Sequence, residues 1–338
     1  MELWTVVCDT PNGFGDLALT ARVLNCLPLG IKANVIILLG DQDGEQVKRF
    51  VELTYPASIR VHAMSLSRPD ISILKTSVQR KVLFVPQSNL TLANFQRLRQ
   101  QARLTTEIDP YGITEYDVDP INIAEVSNPI IQLGFGQQGV FLNPNRLTSN
   151  MQQLREKWLI KYRSDTGRPT LQRIILAYVM AEHVPRFITL MSYLYRDGVP
   201  TVVVAPRLKA PLGRLPPQWV IVNDRYSPLE FLELVQVADE PIGVTGDQSL
   251  LDCLSAGRVP YYDMPAWKES LWEAFIQYVD NLGLGALSSW MTEQGDEEFA
   301  AVQESTDAID LAAFLKTDFS QVENKLRLLM VRWMDTAK

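Results

Sequence analysis

Two loops of the sequence combine glycine with side chains that could take part in chemistry. The first, residues 9–16 (DTPNGFGD), joins an apolar stretch to a helical pattern. Its glycines permit tight backbone geometry, and Asp16 stands where the N-cap of the helix is expected. Asp16 either caps that helix or serves a bound substrate as a general base or hydrogen-bond anchor. If Asp16 serves a substrate, we expect Asn12, Gly13, Phe14 and Gly15 to line the cleft that holds that substrate.

The second loop, residues 244–251 (VTGDQSLL), also leads from an apolar stretch into a helical pattern. A helix N-terminus carries unpaired N–H groups and the positive end of the helix dipole, and Gly246 has no side chain to keep a phosphate from them. We therefore expect a diphosphate site, unless the loop is only a capped helix with Asp247 at the N-cap and Gly257 after its end. The expected ligand contacts come from Gly246, Asp247, Gln248, Ser249 and Leu250.

Other side chains could complete this site. Arg207 and Lys209 follow an apolar stretch and could supply the local positive charge that a diphosphate needs in an acidic protein. Tyr226 and Phe231 could offer an aromatic face to a nucleotide base, although an aromatic residue at helical spacing is more often part of the core. The glycines of residues 134–139 (GFGQQG) suit either a loop near a cleft or a plain turn.

Metal, cofactor and hydrolase sites are not predicted. Residues 41–43 and 117–119 have the D-x-D form that can hold a divalent cation, but the turn residues beside them favour plain turns. The first loop departs from the dinucleotide fingerprint, since Ala18 replaces its third glycine and no acidic residue ends the second strand; an NAD site is only weakly indicated. His62 and His183 both occupy positions that favour structural roles, which leaves a Ser-His-Asp or Cys-His hydrolase without a general base.

Composition excludes further classes of protein. The chain has 338 residues, of which 46% are hydrophobic and 21% charged, as in ordinary globular proteins. Its net charge of −7 argues against a nucleic-acid partner. The three cysteines lack the spacing of a zinc site or a disulfide framework. We find neither a secretory signal pattern nor a membrane-spanning apolar run, so we expect a cytoplasmic protein with no membrane partner, unless a less readable signal exports it.

The elements that must position the two loops alternate along the chain. Short β-branched stretches are each followed by an amphipathic helical pattern, which predicts βαβ units and parallel sheets covered by helices on both faces. A long helical pattern at 145–165 and a Gly/Pro-containing break at 166–172 interrupt this alternation, which then restarts. We therefore expect two α/β domains, 1–165 and 166–338, with a cleft between them and the last helix able to pack back on the first domain.

The predicted strands share an apolar core bounded by turn residues, and they lie at 3–9, 33–40, 58–65 and 81–88 in the first domain and at 173–179, 201–206, 219–224, 241–246 and 259–264 in the second. The stretch 104–144 is less regular. Beyond the second sheet we expect helices near 268–282, 297–317 and 320–336.

Both loops resemble segments of one known family. Phe14-Gly15-Asp16, followed by Arg22, resembles the N-terminal F-G-D…R signature of the bacterial arginine rhamnosyltransferases that modify elongation factor P. Residues 246–249, followed at the same spacing by Ala-Gly, resemble their G-E-D-S…A-G segment, and residues 226–239 and 318–321 are similar to the stretches around it. The resemblance covers the chain in outline and implies the GT-B fold, with two Rossmann-like doubly wound domains and the nucleotide sugar bound in the C-terminal one.

Carried over residue by residue, the resemblance makes Asp16 the base that serves the acceptor, Asp247 the acidic residue that supports catalysis, and Ser249 a contact of the diphosphate. It implies dTDP-rhamnose as the donor, a protein arginine as the acceptor and inversion at the sugar. The sequence departs from the family at Asn12, Gly13, Asp247 and Gln248, where the family has an acidic residue, Asn, Glu and Asp. Losing a carboxylate beside the acceptor weakens the case for arginine, whose guanidinium needs acidic partners.

We therefore predict a metal-independent, inverting glycosyltransferase that moves a sugar from a nucleoside-diphosphate sugar to an acceptor and uses no cofactor besides that co-substrate. Two alternatives keep the same fold. One is a nucleotide-sugar hydrolase or epimerase, and the other is a catalytically silent protein that binds a nucleotide. The replaced acidic residues favour these alternatives over transfer to arginine.

Overall fold

The computed structural model describes residues 3–10, 15–27, 32–39, 44–56, 59–116, 130–135, 137, 139–142, 150–208 and 215–335. The chain forms two compact units, one of Met1–Phe141 with Phe319–Lys338, the other of Leu142–Asp318. The units divide before the long helix Met151–Thr166, whereas the sequence placed the domain boundary after it. Trp158 and Tyr162 of this helix contact Tyr226 of the second unit. The predicted domain bounds stay a prediction.

The strands are named in chain order as β1 (Leu3–Thr10), β2 (Lys32–Leu39), β3 (Arg60–Ser65), β4 (Lys81–Gln87), β5 (Asp109–Tyr116), β6 (Ile130–Leu133), β7 (Arg173–Tyr178), β8 (Thr201–Val204), β9 (Trp219–Val222), β10 (Asp239–Val244) and β11 (Pro260–Tyr262).

The helices are α1 (Gly15–Asn25), α2 (Gly44–Thr54), α3 (Ile71–Ser77), α4 (Asn89–Gln101), α5 (Met151–Thr166), α6 (Val184–Leu194), α7 (Pro228–Val237), α8 (Asp247–Ser255), α9 (Glu269–Asn281), α10 (Gly285–Glu293), α11 (Asp296–Glu304), α12 (Asp307–Phe319) and α13 (Val322–Asp335), with a short 3-10 helix at Ala266–Lys268.

The first unit contains a six-stranded parallel sheet in the order β3-β2-β1-β4-β5-β6, the strand order of a doubly wound Rossmann fold. Residues 33–38 of β2 are all buried because helices cover both faces of the sheet. Between sheet and helix, the rings of Phe84 and Phe95 meet edge to face with their centroids 5.5 Å apart. The strand order reverses between β1 and β4.

The second unit repeats this plan with five parallel strands in the order β11-β10-β7-β8-β9. Counted along its own chain, this is the order of the first five strands of a Rossmann sheet, and it reverses between β7 and β10. Phe187 and Met191 of α6 are fully buried and pack in one cluster with Ile175 of β7. Each such side chain contributes roughly 1.5–3 kcal/mol of burial free energy.

The last helix belongs to the first unit. Three α13 side chains spaced four residues apart, Val322, Leu326 and Met330, are buried. Gly139 gives this segment room, since a Cβ at that position would lie 2.5 Å from Cγ2 of Val322 and 2.8 Å from Cδ1 of Phe319. The C-terminal end of the chain therefore completes the core that the N-terminal residues begin.

Each predicted strand forms, but the sequence underestimated the regular structure. The stretch 104–144 contains β5 and β6, and α3 and α10 were not predicted. The predicted helix 297–317 is two helices, because Ser305 leaves the helical conformation with a ψ of 167°. None of the helices in the described part of the chain is long and apolar enough to cross a membrane.

Candidate functional site

The carboxyl edge of the second sheet holds the predicted donor residues. Ligands of open α/β sheets bind outside the carboxyl ends of the strands, where the strand order reverses. In this sheet that point lies between β7 and β10. The chain leaves these two strands to begin α6 and α8, so the N-termini of two helices lie at the same edge.

Gly246 is the N-cap residue of α8, a position that the sequence assigned to Asp247. Its φ of 81° lies in the left-handed region, which residues with side chains rarely adopt. A Cβ on Gly246 would meet no heavy atom within 4 Å, so open space adjoins the first turn, and the N-cap residue has no side chain to cap it. An anion can therefore reach the N–H groups of this turn.

Asp247 is held by an ion pair at the start of α8. Its Oδ2 accepts a hydrogen bond from Nζ of Lys268 at 2.8 Å, and the two side chains are only 14% and 11% exposed. Nearby, burial raises the pKa of Tyr262 well above its usual value; the carboxylate of Asp247 raises it further, and the ammonium of Lys268 opposes both. The carboxylate thus has a fixed place beside the open turn.

The next three residues point mainly into the protein. Nε2 of Gln248 donates to Oδ1 of Asp252 one turn further along the helix, at 2.8 Å. The hydroxyl of Ser249 donates to the carbonyl oxygen of Thr245 at 2.5 Å, a bond that holds it against its own helix. The side chain of Leu250 is fully buried. Of these, Ser249 keeps an acceptor oxygen at the base of the turn, whereas Leu250 contributes to the core.

Two tilted aromatic rings and a cation lie beside the ends of β7 and β8. The guanidinium carbon of Arg207 lies 4.8 Å from the ring centroid of Tyr178, and that ring lies 4.8 Å from the ring of Phe231. All three side chains are partly exposed. Such a group can bind a planar base and an anion side by side. Tyr178 was missed from the sequence, although an aromatic residue ending an apolar strand was a usable signal.

Tyr226, predicted to face the base, packs against α5, and its contact with a base stays a prediction. Its hydroxyl oxygen accepts a hydrogen bond from Tyr162 at 3.1 Å, and its ring meets Trp158 edge to face with centroids 5.7 Å apart. Burial raises the pKa of Tyr226 to about 12. The described contacts of Tyr226 are therefore those of a packing residue.

His183 and Asp263 form a pair that the sequence did not reveal. Nδ1 of His183 lies 2.7 Å from Oδ1 of Asp263, and Oδ2 of the same carboxylate accepts the backbone N–H of Met180 at 2.7 Å. The Asp263 side chain is 8% exposed and the His183 side chain 40%. Asp263 directly follows β11, and an acidic residue at the carboxyl end of a strand was the signal available.

In the first unit, Asp16 lies in the first turn of α1 and is partly buried. The helix begins at Gly15, one residue before the predicted N-cap, and a Cβ on Gly15 would meet no heavy atom within 4 Å. Burial raises the pKa of the Cys8 thiol well above its usual value, and the carboxylate of Asp16 raises it further. Asp16 therefore lies close to the end of β1, at the carboxyl edge of the first sheet.

Asp9 is a second carboxylate at this edge that the sequence did not single out. It is 3% exposed, and its Oδ2 accepts a hydrogen bond from Nδ2 of Asn94 of α4 at 2.9 Å. Asp9 also contributes to the raised pKa of Cys8, so the two acidic residues flank the same thiol. Its place one residue before the end of β1 was the signal available.

Several predicted positions lie outside the described residues, namely Asn12, Gly13, Phe14, the D-x-D segments at 41–43 and 117–119, Gly136, Gln138 and Lys209. His62 lies on the edge strand β3 and is partly buried. In the part of the chain that the structure describes, no group of three His, Cys, Asp or Glu side chains could hold a metal ion. The expectation that the protein needs no metal stays a prediction.

No protein-family model and no curated protein matches the sequence. Solved structures do match its fold. The glycosyltransferase SnogD from Streptomyces nogalater is 13% identical with a TM-score of 0.53, over 98% of this chain and 100% of its own. Anabaena Alr3699/HepE in complex with UDP-glucose is 10% identical with a TM-score of 0.53, over 99% of each chain. Arabidopsis thaliana UGT89C1 complexed with UDP is 9% identical with a TM-score of 0.50, over 98% of this chain and 100% of its own.

At these identities the likeness concerns the fold. The chain has the α/β fold of these glycosyltransferases, with two parallel sheets of Rossmann-like order. The predicted GT-B fold class agrees with this finding. The narrower resemblance to the arginine rhamnosyltransferases stays a prediction.

Proposed function

We propose that this protein is a glycosyltransferase that uses a nucleoside-diphosphate sugar. The observation that carries the proposal is the open N-terminus of α8, whose N-cap residue Gly246 has no side chain, located where the strand order of the second sheet reverses. Two proteins of the same fold were solved with UDP or UDP-glucose, which supports a ligand of this class. Transfer chemistry needs a site that stabilises the charge of a departing diphosphate.

The donor would lie along the carboxyl edge of the second sheet. Its diphosphate would accept hydrogen bonds from the first-turn N–H groups of α8, and the dipole of that helix favours the negative charge that develops as the sugar departs. Arg207 would add a positive charge, while Tyr178 and Phe231 would offer their rings to the base. Ser249 would contact the diphosphate by donating its hydroxyl to a phosphate oxygen in place of the carbonyl oxygen of Thr245, and the Asp247–Lys268 pair would fix the start of the helix.

The acceptor would be served by the first unit. Asp16 would orient or deprotonate it, and attack on the face opposite the leaving group would invert the sugar centre. Charge stabilisation by helix N–H groups and Arg207 would do the work that a metal ion does in other phosphate sites, so the reaction is proposed to be metal-independent. The resemblance in the two loops supports rhamnose as the sugar and a protein arginine as the acceptor, with the cytoplasm as the place of action.

The test is a panel of nucleotide sugars (dTDP-rhamnose, UDP-glucose and GDP-mannose) incubated with the full-length protein, with release of nucleoside diphosphate as the readout. Release that requires an added acceptor supports transfer, and it should persist in EDTA. Release without an acceptor indicates a hydrolase, a changed sugar with no release indicates an epimerase, and binding without turnover indicates a silent protein. Absence of both binding and release would refute the proposal.

A further inference from the structure

The His183–Asp263 pair is a polar cluster at the described edge of the second sheet that the proposed function leaves unused. Strand β10 lies between β7 and β11, yet the carboxylate of Asp263, just after β11, bonds His183 and Met180, just after β7. The pair therefore spans the end of β10, directly before the open turn at Gly246. It joins all three strands at the point where the strand order reverses.

Hydrogen bonds fix this pair relative to the open turn. The backbone N–H of Asp263 donates to the carbonyl oxygen of Val244 at 2.8 Å, and its carbonyl oxygen accepts from the hydroxyl of Thr245 at 2.8 Å. These are the two residues that precede Gly246. The imidazole is thus tied through Asp263 to the backbone on which an anion would rest.

The geometry leaves one nitrogen of the ring for a ligand. Nδ1 is engaged by Asp263, whereas the His183 side chain is 40% exposed, so Nε2 is the atom available to a bound molecule. His183 is also the N-cap residue of α6, and its own side chain makes no capping hydrogen bond. The ring therefore lies at the N-terminus of one helix and is linked through Asp263 to the turn that begins another, and helix N-termini attract anions.

We propose that His183 is a phosphate-binding residue whose Nε2 donates a hydrogen bond to the diphosphate of a nucleoside-diphosphate ligand, with Asp263 as the residue that positions it. This inference rests on the proposed function and adds to it a residue of the donor site. With a carboxylate on one side of the ring and a diphosphate on the other, the protonated imidazole is the form that satisfies both partners. Binding then takes up a proton above neutral pH, and affinity falls as the pH rises.

Other charged or titratable groups on the elements next to the ring must be weighed in that pH dependence. They come from α6 and the turn before it, from β11 and the residue after it, and from the start of α8 with the 3-10 helix: Glu182, Arg186, Tyr261, Tyr262, Asp263, Asp247 and Lys268. The sequence contains only two histidines, and His62 lies in the first unit, so substituting each one separates their contributions.

The experiment is titration calorimetry of the full-length protein with UDP, dTDP and GDP at pH 7.0 to 8.5, in Hepes and in Tris, whose ionisation enthalpies differ. The difference between buffers gives the number of protons taken up. We expect net uptake in the wild type. His183→Gln should abolish that uptake and weaken binding by about 10- to 100-fold, the loss expected for one charge-assisted hydrogen bond. His62→Gln should match the wild type, and circular dichroism checks that both variants fold.

The outcomes separate this inference from the proposed function. If the wild type binds none of the three diphosphates, both fail together. If it binds one and His183→Gln retains the same affinity and proton uptake, the proposed function stands and His183 is a structural residue. If His183→Gln keeps binding and uptake but loses transfer, the ring serves the acceptor and the phosphate role is wrong. An unchanged affinity for Asp263→Asn with normal uptake would remove Asp263 as the positioning residue.

Discussion

Asp16 lies in the first turn of α1, where a carboxylate can serve two roles. It stabilises the helix dipole by about 0.3–1 kcal/mol in an exposed first turn, and it can also act on a bound acceptor. The substitution Asp16→Asn separates these roles, because an amide tolerates the helix position but accepts no proton at neutral pH.

We expect Asp16→Asn to retain its melting temperature within a few degrees and its nucleotide affinity, while transfer falls at least ~100-fold, as for a lost general base. Thermal unfolding, calorimetry and product assays measure the three quantities. Transfer within a few-fold of the wild type would leave Asp16 only its helix role. A matched loss of melting temperature would mean that the fold, and not the chemistry, depends on it.

The ion pair between Asp247 and Lys268 gives a second residue-scale prediction. Asp247→Ala removes a carboxylate from a mostly buried ammonium, which should lower the free energy of unfolding by about 3 kcal/mol. The double variant Asp247→Ala/Lys268→Met should recover much of that lost stability, because neither charge of the ion pair remains. Urea unfolding measures the free energy of unfolding of the single and the double variant. A single variant within about 0.5 kcal/mol of the wild type would contradict the prediction and place the pair among weak surface interactions.

At the scale of elements, the open turn depends on the backbone of Gly246. Gly246→Ala meets no atom, so its cost comes from the backbone conformation, with φ 81° and ψ 156°, which is essentially restricted to glycine; we expect about 1–3 kcal/mol. The added methyl group also stands where a phosphate would approach. We expect nucleoside-diphosphate affinity to fall at least ~10-fold, as for one lost hydrogen bond to a charged group.

Gly283 offers a matched control for this substitution. It has a φ of 75° with no heavy atom within 4 Å of a Cβ, and it follows α9, away from the reversal of the strand order. Gly283→Ala should also lower stability, because its φ is positive, and should leave nucleotide binding unchanged in calorimetry. Equal losses of affinity in both variants would show that strain alone, and not access to α8, controls binding.

The elements could largely be predicted from the sequence because apolar, β-branched stretches mark buried parallel strands directly. The failures have physical causes. Strand β5 contains Pro110 and Gly112, which disfavour strands, and α10 begins at a glycine. The glycine of the open turn was predicted because its conformation depends on local sequence. Asp263 was missed because its partners, His183 and Met180, lie about 80 residues away in sequence.

At the scale of the whole molecule, the reactivity of three thiols can show whether each of the two units opens. Cys8 and Cys26 belong to the first unit and Cys253 to the second, and all are buried. Burial and the carboxylate of Glu323 on α13 raise the pKa of Cys26 to about 12, so its thiol is protonated at neutral pH and should not react. We expect all three to resist an alkylating reagent in the native protein.

Loosening α13 should expose Cys26 selectively. Leu326 is 2% exposed, and Leu326→Ala should cost about 2–5 kcal/mol. We expect Cys26 to be alkylated at least ~10-fold faster, because local opening of the helix becomes easier, with Cys253 unchanged. Mass spectrometry of the labelled peptides distinguishes the sites. Equal acceleration at Cys26 and Cys253 would mean that the two units open as one.

The packing of α13 on the first unit sets the order in which the nascent protein matures. Roughly 180 residues separate Phe141 from Phe319, and at ~5–20 residues per second a ribosome needs some ten seconds or more to add them. Until Val322, Leu326 and Met330 leave the exit tunnel, the side chains around Gly139 and Cys26 lack their packing partners from α13. The unit synthesised first is therefore the unit completed last, and during that interval its open apolar face is a natural client for a chaperone.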